Sequence, residues 1–102
     1  MNYLGILKVL ANPARLRIIH LLKEPKEHFV HKPQCGVDMV EVGVCLEEIQ
    51  RVSGLSQSTT STYMNMMKKV GLVQATRLGK YTYFKRNEEV LTSLSSYLVN
   101  DL

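Results

Sequence analysis

The sequence predicts a mainly α-helical domain with one β-hairpin towards its C-terminal end, and three observations lead to this fold class. Apolar residues recur at helical spacing through most of the chain, with breaks at Asn12-Pro13, Gly54 and Gly71. Two short alternating runs flank Leu78-Gly79, as expected for two strands joined by a tight turn. A chain of 102 residues, 45% of them hydrophobic, has the length and composition of one globular domain.

The first part of the chain predicts two consecutive helices. The segment Tyr3–Lys23 has helical periodicity that is interrupted at Asn12, a favourable N-cap, and at Pro13, which suits the first position of a helix. A second helix is therefore expected to start at Pro13. The apolar side chains that it should turn towards the core are Leu16, Ile18, Ile19 and Leu22.

An irregular connection is expected between the second and third helices. Residues 24–44 contain two prolines and two glycines, and we expect only a short strand in them, near Met39–Val42. A connection of this length is long for a compact domain, and long loops are often functional.

Two further helices joined by a tight turn form a candidate helix-turn-helix. Residues 45–52 predict the first of these helices, residues 57–70 the second, and Ser53-Gly54-Leu55-Ser56 the turn. Ser56 suits the N-cap of the second helix, and Gly71 suits its C′ position. The buried stripe of the second helix is expected to contain Thr60, either Tyr63 or Met64, Met67 and Val70.

The second helix of this motif carries the side chains that we expect to contact DNA. In a helix-turn-helix, the N-terminal residues of the recognition helix lie against the bases, where hydroxyl and amide groups reach phosphates and base edges. No acidic residue occurs between Ile49 and Asn87, whereas residues 51–86 hold seven Lys or Arg, which suits a polyanion. A solvated polar face is the alternative. The residues assigned to the major groove are Gln57, Ser58, Thr59, Ser61, Thr62 and Asn65.

The hairpin that follows this helix is placed to act as a wing. The expected strands are residues 72–77 and 80–85, around a tip at Leu78-Gly79. Arg77 and Lys80 flank the tip and are expected to meet the DNA backbone, although an ordinary hairpin has the same pattern. The predicted fold is therefore a winged helix-turn-helix.

Apolar stripes on the first and last helices predict a homodimer. A domain of this size cannot cover both stripes with its own core, and a helix keeps such a stripe only when it is buried. A twofold interface would bury both stripes and bring two recognition helices to successive major grooves, about 34 Å apart. The residues assigned to it are Leu4, Leu7, Leu10, Leu91, Leu94 and Leu98. The expected layout of the single domain, residues 1–102, is an extended loop over 24–44, a helix-turn-helix over 45–71, a wing over 72–86 and a dimerisation helix over 87–102.

Three blocks of sequence resemble the ArsR/SmtB family of winged-helix bacterial repressors. They are LKVLANPARLRIIHLLKEP, GLSQSTTSTYMNMMKKVGLV and RLGKYTYFK, and they follow the family's order over nearly the whole chain. The resemblance implies a homodimer that binds operator DNA and is released when a metal ion, metalloid or oxidant reaches a sensing site. Family recognition helices often have His-Leu where this chain has Tyr63-Met64, and Val where it has Thr60, which are packing positions.

The sensing sites that the resemblance implies are only partly matched. The family's metalloid box has two Cys separated by one Val, and Glu41-Val42-Gly43-Val44-Cys45 keeps that frame with Gly43 in place of the first Cys. The family's zinc site on the last helix needs Asp and His, and residues 87–102 contain no His. The long connection instead brings in His28, His31 and Cys35.

Cys35 and Cys45 are the residues to which we assign sensing. Two thiols with His28 and His31 nearby suit arsenite, zinc or copper as an inducer, or a reversible disulfide. Their spacing matches no recognised metal-binding pattern, so structural cysteines remain the alternative. Whether His28 and His31 are ligands stays open at this point.

The leading functional hypothesis is a transcriptional repressor that binds double-stranded operator DNA. A winged-helix module that binds proteins is the alternative, but it predicts acidic or exposed apolar residues in the recognition helix. An enzyme is not expected, because the acidic residues lie on the connection and the terminal helices and the domain has little room for a cleft. The chain has no apolar run of about 18 residues and no export signal, so we expect a cytoplasmic protein without a membrane partner.

Overall fold

The computed structural model describes residues 1–30 and 36–102, and it confirms a mainly α-helical winged helix-turn-helix. The helices in the described part are α1 (Tyr3–Leu10), α2 (Pro13–Leu21), α3 (Pro25–His28), α4 (Leu46–Ser53), α5 (Gln57–Lys69) and α6 (Glu88–Asn100). The strands are β1 (Val44–Cys45), β2 (Val73–Leu78) and β3 (Tyr81–Arg86). They form one antiparallel sheet in the order β1-β3-β2. No helix in the described ranges is long and apolar enough to cross a membrane.

Asparagine side chains fix where the first two helices begin. The side-chain oxygen of Asn2 accepts the N–H of Gly5 at 2.9 Å, and that of Asn12 accepts the N–H groups of Ala14 and Arg15 at 3.0 Å each. These bonds satisfy amides that the first turn of a helix leaves without partners. The predicted start of α2 at Pro13 is therefore confirmed, and its cause is local.

The core-facing side of α2 differs from the prediction at Leu16. Ile18 and Ile19 are buried as predicted, but Leu16 is 55% exposed. Arg15, which is 9% exposed, takes the inward position, because it continues the helical spacing of Ile18, Ile19 and Leu22 by one turn. The prediction for Leu16 is wrong because a charged residue holds the place that an apolar one was expected to fill.

The short strand expected near Met39–Val42 lies further along the chain. The Asp38 carboxylate accepts the N–H groups of Val40 at 2.8 Å and Glu41 at 3.0 Å. Such a turn engages the amides that a strand would need for its ladder. The strand forms instead at β1, which pairs with β3. The connection also contains α3, where only irregular chain was expected.

Gly43 leads into β1 in a conformation that other residues rarely adopt. Its φ is +132°, and a Cβ at this position would lie 2.5 Å from the carbonyl oxygen of Phe84, a main-chain atom of β3. Side chains do not tolerate so close an approach to a backbone atom. The position at which the resembled metalloid box has its first Cys is therefore closed to a side chain.

The inner face of α5 packs into the core beneath the sheet. Met64 and Met67 are completely buried, and so is Thr60, whose hydroxyl donates to the carbonyl oxygen of Ser56 at 2.7 Å. Of the remaining members of the predicted stripe, Val70 is half-buried. Of the two residues expected for one position of the stripe, Met64 is the buried one, and Tyr63 is half-buried.

An ion pair joins the end of β3 to the start of α6. The Arg86 guanidinium donates to both carboxylate oxygens of Glu88, at 2.8 and 2.9 Å, and these bonds hold the pKa of Glu88 below its usual value. A carboxylate with a lowered pKa stabilises the fold above the pKa of the unfolded state, and this contribution is lost as the pH falls through the folded pKa.

Glu88→Gln is expected to have a small effect that depends on pH. Because the Glu88 side chain is 63% exposed, the pair is screened by solvent, and we expect a loss of about 0.5 kcal/mol in unfolding free energy at pH 7. The difference between variant and wild type should shrink as the pH is lowered from 7 to about 2, because the carboxylate becomes protonated in both states. Urea unfolding at both pH values measures it. An undiminished difference in acid would show that Glu88 acts through packing instead of charge.

Candidate nucleic-acid interface

The exposed face of α5 is lined with hydroxyl and amide groups. Ser56 caps the helix, since its hydroxyl accepts the N–H of Thr59 at 3.1 Å. Ser58, Thr62 and Asn65 follow one another at helical spacing on the side opposite the buried stripe, and all three are exposed. They form a straight polar row that a groove-binding partner could reach.

The other residues assigned to the major groove flank this row. Gln57 is exposed and Ser61 is half-buried on one flank, and Thr59 is half-buried on the other. Thr59 also lines a small depression in the helix surface, together with Ser58, Thr62 and Tyr63. The structure thus places three of the six assigned side chains on one exposed face of α5 and the other three on its flanks, while their contact with DNA stays a prediction.

Two lysines in the last turn of α5 add positive charge to this polar surface. Lys68 and Lys69 are both exposed, and Lys69 continues the row of Ser58, Thr62 and Asn65. Both lysines belong to the acid-free segment, but neither was among the residues expected to contact DNA. Their spacing from Asn65 was the signal that could have placed Lys69 on the row.

Helix α4 packs against α5, and a buried carboxylate on α4 forms hydrogen bonds that hold this helix in place. Glu48 is 1% exposed, and its oxygens accept two hydrogen bonds from Arg51, at 2.8 and 2.7 Å, and one from the N–H of Val30, at 2.6 Å. The bonds to Glu48 raise the pKa of Arg51. Sequence reasoning missed this role, although the spacing of Glu48 and Arg51 on one helix predicts a pair.

The two basic residues at the wing tip differ in the contacts that their side chains make. Arg77 folds back on the hairpin, because its Nε donates to the carbonyl oxygen of Gly79 at 2.9 Å and its Nη1 to the Thr82 hydroxyl at 3.3 Å. Lys80 is exposed, with its ammonium 5.7 Å from the centroid of the Tyr81 ring. Both cations lie on the wing surface, as their assignment to the DNA backbone requires.

Of the residues assigned to sensing, only Cys45 lies in the described part of the chain. Cys45 pairs with Tyr83 in the sheet, precedes the first residue of α4 and is 4% exposed. The His28 ring lies 6.1 Å from the ring of His20, between centroids. Cys35 and His31 lie outside the described residues. Within residues 1–30 and 36–102, no three His, Cys, Asp or Glu side chains are grouped so that they could hold a metal ion.

The first and last helices meet at a stacked pair of aromatic rings and leave part of their apolar surface open. The rings of Tyr3 and Tyr97 stack with centroids 4.1 Å apart, which joins α1 to α6. Of the six residues assigned to the dimer interface, Leu94 is 5% exposed and belongs to the core of the single chain. Leu7, Leu10 and Leu91 are half-buried. Leu4, at 63%, and Leu98, at 41%, are exposed.

Comparison with known proteins finds relatives among transcriptional regulators. No family model matches the chain. An uncharacterized HTH-type transcriptional regulator of Bacillus subtilis, YbzH, is 40% identical over 102 residues, which is all of both chains. The cadmium resistance transcriptional regulatory proteins CadC of Listeria innocua and Lactococcus lactis are each 31% identical over 88 residues, which is 85% of this chain and 60% of theirs.

Solved structures of a fragment from Mycobacterium bovis have the same fold. A crystal structure of this possible transcriptional regulatory protein has a TM-score of 0.63 and 26% identity, covering 93% of this chain and 85% of that one. A solution NMR structure has a TM-score of 0.64 and 27% identity, covering 93% of this chain and 73% of that one. The NMR structure is described as the homodimeric winged helix-turn-helix DNA-binding domain of a possible ArsR-family transcriptional regulator.

Proposed function

The chain belongs to the ArsR family of winged-helix transcriptional regulators, and we propose that it is a repressor that binds double-stranded operator DNA as a homodimer. Regulators of this family act by binding, so the chain is not an enzyme. Because the proposed ligand is operator DNA, we still expect the protein to be located in the cytoplasm.

The observation that carries this proposal is the exposed face of α5. It presents hydroxyls, amides and lysines, and it has neither an acidic nor an exposed large apolar side chain. Such a face suits phosphates, which are anionic acceptors, and base edges, which carry donors and acceptors, and the free N–H groups of the first turn add to the attraction for phosphate. A protein-interaction module would need apolar or acidic anchors there. DNA is therefore the better-supported partner.

Substitutions at Lys80 and Gln57 should separate backbone contact from base contact. Lys80→Ala should weaken binding to all sequences about threefold and lower the slope of log affinity against log salt by about one, because one phosphate contact is lost. Gln57→Ala should instead change which sequence is preferred. Mobility shifts with DNA upstream of the protein's own gene, and with an unrelated duplex, measure both effects.

Lys26 provides the matched control for Lys80. It is an exposed lysine on α3, outside the proposed interface, so Lys26→Ala should leave the affinity and the salt slope unchanged. If Lys80→Ala kept the wild-type affinity and salt slope, Lys80 would not contact DNA. Failure of wild type to bind any duplex more tightly than the unrelated one would contradict the proposed function.

The homodimer is supported by the surface that the terminal helices leave open. Leu4 and Leu98 place apolar side chains in solvent, and the related Mycobacterium bovis domain is described as homodimeric. A second copy is the partner that would bury these side chains and supply the second recognition helix.

A thiol-directed signal at Cys45 and Cys35 is the release mechanism that we propose. Cys45 sits at the N-terminus of α4, so a bond formed at its sulfur would displace the helix that supports α5. Thiolates suit arsenite and soft metals such as copper or zinc, and they also react with oxidants. Since Cys45 is 4% exposed, the groups that cover its sulfur must move before a reagent can reach it.

We expect Cys45→Ser to bind operator DNA, but arsenite, zinc, copper or peroxide should no longer release it. Cys35→Ser should lose this response partly or wholly. The mobility shift, repeated with each reagent, gives the readout. Cys45→Ala keeps the site apolar and serves if the buried serine destabilises the fold. Release of the Cys45 variants at wild-type reagent concentrations would leave the cysteines structural.

A further inference from the structure

The side chain of Arg15 connects three helices at one point. Arg15 belongs to the first turn of α2, and its Nε donates to the carbonyl oxygen of Val9, in the last turn of α1, at 2.7 Å. Its Cζ lies 4.7 Å from the centroid of the Tyr63 ring, which belongs to α5. The recognition helix is thus tied to α1 through one guanidinium.

The burial of Arg15 favours both of its contacts. The residue is 9% exposed, and within residues 1–30 and 36–102 no carboxylate lies within ion-pair distance of it. A cation withdrawn from water needs other partners to replace its hydration. The carbonyl of Val9 lies at the negative end of the α1 dipole, and the Tyr63 ring offers the negative face of its π system. These two groups replace part of the hydration that the guanidinium loses on burial.

The position of Tyr63 makes this contact sensitive to how α5 is oriented. Tyr63 lies on the flank of α5, one turn after Thr59, and lines the same surface depression as Ser58, Thr59 and Thr62. If α5 turned about its axis or moved along it, the ring would leave the guanidinium. The contact therefore favours one presentation of the row of polar side chains.

We propose that Arg15 and Tyr63 are positioning residues that fix the recognition helix relative to α1, without either having to touch DNA. In the proposed homodimer, α1 lies at the interface, so the same contact sets the recognition helix of one protomer relative to that of its partner. The pair then determines which spacing between the two DNA half-sites, one for each protomer, the dimer prefers. This inference rests on the DNA binding proposed above.

The test compares Tyr63→Leu with Tyr63→Phe. The duplex is the sequence that wild type enriches from a random pool, and a scrambled duplex of the same composition serves as the non-specific ligand. Tyr63→Leu removes the ring but keeps an apolar side chain, and we expect about tenfold weaker binding to the enriched duplex and less than about twofold change on the scrambled one. Tyr63→Phe keeps the ring face and should restore both affinities to within about twofold of wild type.

A double variant shows whether the two residues act through one contact. Arg15→Met should reproduce the loss of Tyr63→Leu, and the combination should bind no more weakly than the poorer single variant, because the same contact is absent in all three. Thermal unfolding is recorded for each protein, and Tyr63→Leu carries the test alone if Arg15→Met does not fold. Selection repeated with Tyr63→Leu should yield a broader range of half-site spacings.

The outcomes distinguish this inference from the proposed function. If wild type enriches no sequence, the proposed function fails and the positioning role fails with it. If wild type enriches a sequence and Tyr63→Leu binds it equally well, only the positioning role is overturned. It is also overturned by equal losses on both duplexes, by additive losses in the double variant, or by a lowered Tm with an unchanged affinity ratio.

Discussion

Gly43→Ala should lower the free energy of unfolding by about 3 kcal/mol or more, because two separate penalties fall on one residue. Its φ of +132° is unfavourable for any residue with a side chain, and the new methyl group would meet the carbonyl oxygen of Phe84 at 2.5 Å. Phe84 pairs with Val44 in the sheet, so its main chain cannot withdraw without breaking that pairing. Urea unfolding at neutral pH measures the loss.

Gly54 supplies the control that separates the two penalties. It also has a positive φ, +73°, but a Cβ there would have no heavy atom within 4 Å. Gly54→Ala should therefore lose only about 1 kcal/mol, the conformational part. If both variants lost the same amount, the close approach to Phe84 would contribute nothing and the strand would have room to yield.

Leu4→Glu is expected to dissociate the homodimer and to weaken binding to the enriched duplex by about 100-fold. Leu4 is 63% exposed in the single chain, so the carboxylate has no cost there, whereas a twofold interface would bury it without a partner. Two linked recognition helices bind far more tightly than one, and this gain is lost when the protomers separate. Sedimentation at micromolar concentration and the mobility shift report the two effects.

Leu16→Glu is the matched control for this change. Leu16 is 55% exposed and lies on α2, outside the predicted interface, so the same substitution should leave both assembly and DNA binding near wild type. A wild-type protein that sediments as a monomer, or equal effects of the two substitutions, would contradict the interface on the terminal helices.

The features that local chemistry determines were predictable from the sequence. Asn12 and Ser56 cap helices through their own side chains, and Gly54 and Gly71 have the positive φ that helix ends require. The two hairpin strands lie within one residue of their expected bounds. The polar face of α5 was also predictable, because spacing along a helix fixes which side chains share a side.

Features that depend on distant partners were not predictable. A rule that excludes charges from the core selects Leu16 over Arg15, since Val9 and Tyr63, which compensate the guanidinium, cannot be known to converge from the sequence. The burial of Glu48 likewise depends on the N–H of Val30, far away in the chain. The absence of a strand near Met39 has a local cause instead, because the Asp38 carboxylate accepts the amides of Val40 and Glu41 in a turn.

Gly43 has a consequence for the ligands with which this chain could sense a signal. A cysteine at position 43 would complete the two-thiol box that the family resemblance implies. That substitution would give a protein whose β1 no longer fits against Phe84. If the chain senses through thiols as proposed, its second soft ligand must come from elsewhere, from the long connection or from the partner protomer. The backbone conformation at Gly43 therefore limits which ligand residues this position can supply.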